Sequence, residues 1–339
     1  MKKVTLQHIA DEMAVSKFAV SRALAGKDGV SEETRLRITS KAVEMGYLRA
    51  PDAAQPRRMI QIMFADHDPV NSELWMQMQS GIQNEAAAAD IQIQSHWAPD
   101  LERAVTLAAA SMGIVLVGQH DPKMVWALQQ SNCPIVRLGW VLPLEQTDQV
   151  SGADHEAGYA VGQYLLERGH HRIGFVHGSR VLRGRMERLF GLREAALSND
   201  DASICEIQFN PTETFAEAFL NLRLEGEMPT ALFCSHDSLG VFVVSELHRL
   251  GFRVPEDVSV IGYGDFAAAT QISPMLTTLR LPGVEMGIAA FRTLLDRMDA
   301  SRRQLPSQRL MLVPTLIERD SVADLRLMAD MTIPLSRSA

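Results

Sequence analysis

From residue 59 onward the sequence alternates short apolar runs with amphipathic stretches, and this pattern constrains the fold more than any other feature. The run 60–64 is typical of a buried strand, and the stretch 75–89 has the apolar spacing of a helix. Short buried strands that alternate with helices predict parallel sheets covered on both faces. About nine strands over about 260 residues predict two such lobes rather than one sheet. The clearest further strands are predicted at 91–93, 113–117, 134–138, 172–176, 231–234 and 258–262.

The first 58 residues differ from the rest of the chain in charge. They hold 11 Lys and Arg against 7 Asp and Glu, a balance of +4. Residues 59–339 hold the other 22 basic and 34 acidic residues, a balance of −12, so that the whole chain carries −8. A small basic segment on a large acidic body indicates a nucleic-acid-binding appendage.

Residues 4–46 predict three short helices. Thr5, Ser16 and Ser31 are good N-caps, and apolar side chains follow each of them at helical spacing. Two short helices joined by a tight turn, with a third helix beneath them, form the helix-turn-helix plan. The second helix of that plan enters the major groove of DNA with its N-terminal turn.

The start of the second helix carries side chains that can read DNA. Lys17 and Arg22 can donate hydrogen bonds to guanine, and Phe18 can touch the methyl group of thymine. The alternative interpretation is a three-helix fragment of core with ordinary surface charge.

This segment resembles the headpiece of the LacI-type transcription regulators, the lactose- and galactose-repressor family. The order, the spacing and the N-terminal placement are similar, in the runs 4–16, 20–24, 30–31, 34–35 and 46–47. The resemblance implies a sequence-specific DNA-binding repressor. It implies base readout by Lys17, Phe18 and Arg22, and contacts with the DNA backbone by Thr5, Ser16, Ser21, Ser31 and Thr34.

The connector after the headpiece departs from the family pattern. On operator binding, family members form a short hinge helix there, and its leucine wedges into the minor groove. Here Ala53 and Ala54 are kept, but Pro56 stands about where the leucine would be, and proline disfavours helix for the residue before it. We therefore predict that this protein bends its operator less than typical relatives do. Arg57 and Arg58 either contact phosphates or solvate the linker.

The body resembles the same family in the runs 154–158, 168–174, 188–191 and 236–240. The resemblance implies a periplasmic-binding-protein-like fold, in which two lobes joined by three crossovers hold a small effector in a cleft. For Arg188 the alternative is an ion pair between the lobes, and for the acids after the first strand it is a solvated turn. The effector-binding residues implied by the resemblance are Asp66, Asp68, Arg188, Phe209, His236 and Asp237.

The chemistry of the effector is suggested by a subgroup resemblance. The runs 285–287 and 292–295 resemble the gluconate-repressor-like subgroup, which implies a sugar or sugar acid as effector. The sequence holds no Gly-rich phosphate loop, nucleophile elbow or metal-binding pair of histidines, so neither an enzyme nor a cofactor nor a metal site is predicted. Cys133, Cys205 and Cys234 are far apart and predict buried reduced thiols.

These patterns predict four segments. They are a headpiece at 1–49, a connector at 50–58, a two-lobed effector-binding and dimerisation domain at 59–319, and a C-terminal tail at 320–339. We expect a cytoplasmic homodimer that binds a pseudo-palindromic double-stranded operator, because operator symmetry mirrors protein symmetry. The tail lacks a long leucine heptad, which disfavours a tetramer. A solute-binding component of a transport system is the rival, but the headpiece and the lack of a signal peptide or membrane span disfavour it.

Overall fold

The computed structural model describes residues 4–24, 30–45, 47, 58–66, 72–178, 182–209, 214–299 and 301–327. The contacts between residues divide the chain into two compact units, Met1–Arg58 and Met59–Ala339. Four of the predicted functional residues lie outside the described residues: Ala53, Ala54 and Arg57 of the connector and Asp68 of the effector site.

The headpiece contains the three predicted helices, α1 (Leu6–Met13), α2 (Lys17–Leu24) and α3 (Glu32–Glu44). The Ser16 hydroxyl accepts a hydrogen bond from the Ala19 amide at 3.0 Å and so caps α2. The helices meet at a small core of fully buried side chains. This core consists of Ile9, Ala10, Val20, Ala23, Ile38 and Ala42.

The body is built from alternating strands and helices, as the sequence predicts. Its strands are β1 (Met59–Phe64), β2 (Gln92–Trp97), β3 (Gly113–Val117), β4 (Ile135–Leu138), β5 (Asp148–Gly152), β6 (Arg172–Gly178), β7 (Ser203–Phe209), β8 (Ala231–Cys234), β9 (Ser259–Ile261), β10 (Thr278–Arg280), β11 (Arg309–Leu312) and β12 (Thr315–Ile317). Its helices are α4 (Ser72–Ala88), α5 (Leu101–Ala109), α6 (Pro122–Gln129), α7 (Asp154–Leu166), α8 (Arg183–Ala196), α9 (Phe215–Leu224), α10 (Asp237–Arg249) and α11 (Gly283–Met298).

Two parallel sheets form the two lobes. The first has the strand order β11-β5-β4-β3-β1-β2 and the second has the order β7-β6-β8-β9. Side chains alternate along each central strand: Ile62 packs under α4 and α11, whereas Met63 packs under α5 and α6. Within the described residues the chain crosses between the lobes after β5, after β10 and after β11. The predicted fold class is therefore confirmed.

Helices α7 and α8 approach at backbone distance. A methyl group on Gly158 would lie 1.9 Å from the Arg188 carbonyl oxygen, and one on Gly191 would lie 1.9 Å from the His155 carbonyl oxygen. Only glycine permits this approach at both positions. The contact fixes α8, and with it Arg188, against α7.

The structure corrects the predicted C-terminal boundary. The Ser321 hydroxyl donates to the Val260 carbonyl at 2.6 Å and accepts from the Thr277 amide at 2.8 Å. The Leu325 amide donates to the Arg168 carbonyl at 2.9 Å. Residues 320–325 therefore belong to the second lobe, and the tail predicted to begin at residue 320 begins later.

The three cysteines are free thiols, but only Cys234 is buried, whereas Cys133 and Cys205 are half-buried. Among the described helices, none combines the length and the apolar character needed to cross a membrane.

Candidate functional site: the recognition helix and the cleft

The first turn of α2 presents a large side chain that the headpiece core does not use. Phe18 is 67% exposed, and Lys17 and Ser21 are exposed beside it. The Arg22 guanidinium lies 5.4 Å from the centre of the Phe18 ring. Lys17 and Phe18 are thus exposed in the first turn of α2, and the half-buried Arg22 of its last turn lies beside the Phe18 ring.

The residues assigned to the DNA backbone lie at or near the helix starts. Thr5, Ser16 and Ser31 are exposed, and Thr34 is half-buried. The Ser31 and Thr34 hydroxyls are hydrogen-bonded to each other at 2.8 Å. Amide groups at helix N-termini suit phosphate oxygens, so these positions fit backbone contacts. Arg58, the described residue of the connector, is exposed at the boundary between the two units.

A cleft of about 620 Å³ opens between the two lobes of the body. Asp66, Arg188 and His236, three of the predicted effector residues, line it. Phe209 ends β7, where its backbone pairs with Gly178, and its side chain lies outside the described part of the chain.

Arg188 forms the polar corner of the cleft. Its Nη1 donates to Asp154 Oδ1 at 2.5 Å, its Nη2 donates to the Ser235 carbonyl at 3.0 Å, and its guanidinium lies 3.7 Å from the centre of the Tyr263 ring. The Tyr263 hydroxyl completes the corner by donating to Asp154 at 2.8 Å. Asp154 opens α7 on the second lobe, so the ion pair of Arg188 lies within that lobe and not between the lobes.

Two buried polar atoms in this corner have no hydrogen-bond partner among the described residues. They are Arg188 Nε and Ser235 Oγ. Both residues line the cleft, and the Arg188 guanidinium is bound to the Ser235 backbone carbonyl through Nη2. A buried donor without a partner costs about 1–3 kcal/mol, so the corner favours a ligand that accepts hydrogen bonds.

His236 adds a third donor. Its Nδ1 accepts a hydrogen bond from the Leu239 amide at 3.1 Å and so caps α10. Burial, together with the positive charges of Arg185 and Arg188, lowers the pKa of His236 to about 3. The neutral ring therefore carries its proton on Nε2 and can donate with that atom.

Asp237 does not line the cleft, which corrects the role that the sequence resemblance implied. The residue is fully buried, and its carboxylate accepts hydrogen bonds from the Phe266 amide at 2.7 Å and from the Thr278 hydroxyl at 2.5 Å. Burial raises the pKa of Asp237 to about 6. Because Phe266 itself lines the cleft, Asp237 acts on the site by positioning the Phe266 backbone.

A loop at residues 139–147 forms a wall that the sequence did not reveal. Trp140, Leu142 and Leu144 of this loop line the cleft. The buried Arg137 guanidinium holds the loop in place, with Nη1 donating to Glu145 at 2.9 Å and Nη2 donating to the Trp140 carbonyl at 2.9 Å. No strand or helix pattern marks such a wall, because its shape depends on tertiary contacts such as this buried ion pair.

The cleft differs in charge from the body around it. Its lining holds four arginines and three carboxylates, a balance of +1 with His236 neutral, whereas residues 59–339 carry −12. The charged residues of the lining are Arg183, Arg185, Arg188, Arg309, Asp66, Asp154 and Glu187. Among the described residues, no group of three or more His, Cys, Asp and Glu side chains is arranged to hold a metal ion.

Comparisons with known proteins agree with both units. Residues 5–50 match the model of the bacterial regulatory proteins of the lacI family, and residues 163–322 match the periplasmic binding protein-like domain. The chain therefore combines a LacI-family DNA-binding domain with a periplasmic binding protein-like domain. With this architecture it is a DNA-binding transcriptional repressor under the control of a ligand, and not an enzyme.

Relatives of this chain include transcriptional repressors named PurR. The PurR repressor of Pectobacterium carotovorum subsp. carotovorum (strain PC1) is 28% identical over 338 residues, which cover 94% of this chain and 97% of the relative. The PurR repressor of Klebsiella pneumoniae (strain 342) is 33% identical over 219 residues, 62% of this chain and 63% of the relative.

Solved structures of two transcription regulators share the fold. The complex of the regulator CelR with cellobiose has a TM-score of 0.67 and 26% identity, covering 94% of this chain and 99% of that chain. The lac repressor dimer bound to operator and the anti-inducer ONPF has a TM-score of 0.67 and 20% identity, covering 95% and 100%.

Proposed function

We propose that this protein binds a pseudo-palindromic operator as a homodimer and that a small anionic molecule in the cleft changes its affinity for that operator. The observation that carries the effector part is the pair of unpartnered donors, Arg188 Nε and Ser235 Oγ, in a cleft of positive balance on an acidic body. A carboxylate has two oxygens and can accept from both donors. We expect the protein to act in the cytoplasm, with the DNA it regulates.

Two effector chemistries meet this requirement. The sugar acid favoured by the sequence resemblance would place its carboxylate at Arg188 and Ser235, within reach of His236 and Asp66. A purine-related effector, which the name of the PurR relatives suggests, is the second candidate. The aromatic residues Trp140, Tyr263 and Phe266 in the lining favour a planar ring.

In the headpiece, we assign base readout to Lys17, Phe18 and Arg22. Their support is the exposure of Lys17 and Phe18 in the first turn of α2, where Phe18 is 67% exposed, and the contact of the Arg22 guanidinium with the Phe18 ring. We assign phosphate contacts to Thr5, Ser16, Ser21, Ser31 and Thr34, and also to Arg58. We assign no cofactor beyond the effector.

Selection of bound sequences from random duplexes tests the operator part. The full-length protein at fixed salt should enrich two inverted half-sites, and its sedimentation mass should be twice 37.5 kDa. Release or tightening of the selected operator is then screened with gluconate, glucose, hypoxanthine and simple organic acids. Failure to enrich any sequence would contradict the proposed function.

A further inference from the structure

The wall of the cleft opposite Arg188 is apolar. Side chains of α4, of the loop 139–147 and of β11 line it, and six of them are Leu74, Trp75, Met78, Trp140, Leu142 and Met311. Several of these side chains are not covered by the protein itself. Leu144 is 90% exposed, Met311 is 62% exposed and Leu142 is 38% exposed at this wall.

Polar side chains on the same lobe are fewer than apolar ones, and two of them are engaged by the protein itself. The five that line the cleft there are Asp66, Gln119, Gln149, Ser151 and Arg309. The Gln149 amide donates to the Gly139 carbonyl at 2.7 Å, and the Arg309 guanidinium donates to the Thr147 and Glu145 carbonyls, both at 2.5 Å. A polyhydroxylated ligand would meet these polar groups at only part of the wall, and hydroxyl groups that lie against its apolar side chains would have no partner. Each unpaired polar group costs about 1–3 kcal/mol, which disfavours such a ligand.

The two walls together describe an amphipathic ligand. The second lobe supplies hydrogen-bond donors at Arg188, Ser235 and His236, and the first lobe supplies apolar side chains. A cleft of about 620 Å³ is the size of a pocket for a small organic molecule.

We infer that the effector is a carboxylate carried on an apolar, ring-sized body, an arylalkanoic acid in chemical class, rather than a polyhydroxylated sugar or sugar acid. The carboxylate accepts from Arg188 and Ser235, and the ring lies against the loop 139–147 and α4. This inference rests on the proposed function, because it names the effector of that same cleft.

Calorimetry with purified full-length protein tests the inference without DNA. The probes are 1-naphthylacetate, its uncharged amide, acetate, gluconate, glucose and hypoxanthine. We expect 1-naphthylacetate to bind at least tenfold more tightly than its amide and than acetate, because only the acid satisfies both walls. Gluconate and glucose are expected to bind at least tenfold more weakly than 1-naphthylacetate.

Matched variants locate the binding. Met311→Gln alters the apolar wall, whereas Met76→Gln alters a methionine of equal 62% exposure outside the cleft lining. Ser235→Ala removes the unpartnered hydroxyl, whereas Ser238→Ala removes an exposed hydroxyl three residues away. We expect M311Q and S235A to weaken 1-naphthylacetate binding at least fivefold, and M76Q and S238A to leave it unchanged.

Three results would overturn the inference: no binding of 1-naphthylacetate, tighter binding of gluconate, glucose or hypoxanthine, or 1-naphthylacetate binding that neither M311Q nor S235A weakens. Operator release by gluconate alone would also overturn it while leaving the proposed function intact. Failure of the proposed function has a different signature, the lack of any enriched DNA sequence.

Discussion

Arg137 and Glu145 form a buried ion pair whose side chains are only 3% and 5% exposed. Neutralising one partner leaves the other charge buried without compensation, which costs about 3–5 kcal/mol in comparable sites. We therefore expect Glu145→Gln to lower the free energy of unfolding by that amount. Urea denaturation at pH 7 measures it.

The control for this prediction is an exposed pair. Asp296 and Arg302 are 2.7 Å apart, and their side chains are 63% and 53% exposed. Exposed pairs contribute about 0–1 kcal/mol, so Asp296→Asn should change the free energy of unfolding by no more than that. Equal effects of the two substitutions would contradict the view that burial makes the Arg137 pair important.

Asp237 makes the free energy of unfolding depend on pH, and the direction of its pKa shift fixes the sign of that dependence. Burial raises its pKa from 3.8 to about 6, so the folded protein holds a proton there that the unfolded chain has already lost. The stability contribution is fully present below pH 4 and is lost as the pH rises through 6. Relative to Asp237→Asn, the wild type should lose up to about 3 kcal/mol of unfolding free energy between pH 4 and pH 7.

A carboxylate whose pKa is shifted in the opposite direction provides the control. Hydrogen bonds from Arg253 lower the pKa of the half-buried Asp257 to about 2. Relative to Asp257→Asn, the wild type should therefore gain stability as the pH rises from 2 to 4 and show no change between pH 4 and pH 7. If the difference in unfolding free energy between the wild type and Asp237→Asn stayed constant from pH 4 to pH 7, the raised pKa of Asp237 would be refuted.

At the scale of elements, the sequence predicts best where the apolar pattern is strong. The run 113–117 matches β3 in both bounds, and the three headpiece helices are found where caps and spacing place them. In contrast, β5 (DQVSG) has no apolar run, and Asp148 within it is buried only because Arg297 pairs with it. Edge strand β7 also has no continuous apolar run. Tertiary contacts determine where such strands form, so the local sequence pattern does not predict them.

The candidate site also contains residues that the sequence predicts and residues that it does not. The family pattern places Arg188 and His236 in the cleft, which they line, because they begin the recognisable runs 188–191 and 236–240. The same pattern assigns Asp237 to the ligand, although this side chain faces Phe266 and Thr278. The apolar wall at 139–147 carries no motif and is visible only once the loop is folded.

Helix α2 carries the element-scale prediction. Because Lys17 and Phe18 are exposed, Lys17→Ala and Phe18→Ala should leave the thermal stability of the headpiece unchanged. A specific base contact is worth about 1–3 kcal/mol, so each variant should bind the selected operator about 5- to 150-fold more weakly. Each should also relax the base preference at one position of each half-site.

Repeated site selection at one salt concentration measures both effects. Ser40→Ala, an exposed substitution on α3, is the control and should select the wild-type sequence with wild-type affinity. Unchanged selection by both α2 variants would show that this helix does not read the bases.

At the scale of the whole molecule, the net charge of −8 is the sum of the charges of two different units. The headpiece segment of +4 approaches phosphate, and the body of −12 does not need to. Within that acidic body the cleft has a balance of +1, which attracts small anions. The acidic body should also limit nonspecific coating of DNA, leaving recognition to α2.

The last prediction concerns the coupling of cleft and operator. A ligand can shift a conformational equilibrium only by its differential affinity for the two states, and the two lobes are joined by three crossovers that such a shift can use. If the effector changes operator affinity by a factor, operator must change effector affinity by the same factor, typically about 5- to 150-fold.

Anisotropy of labelled operator with and without saturating effector gives the first factor, and calorimetry of effector with free and operator-bound protein gives the second. A scrambled duplex of equal length is the control and should leave effector affinity unchanged. A factor of one in both measurements would show that a ligand bound in the cleft does not control operator binding.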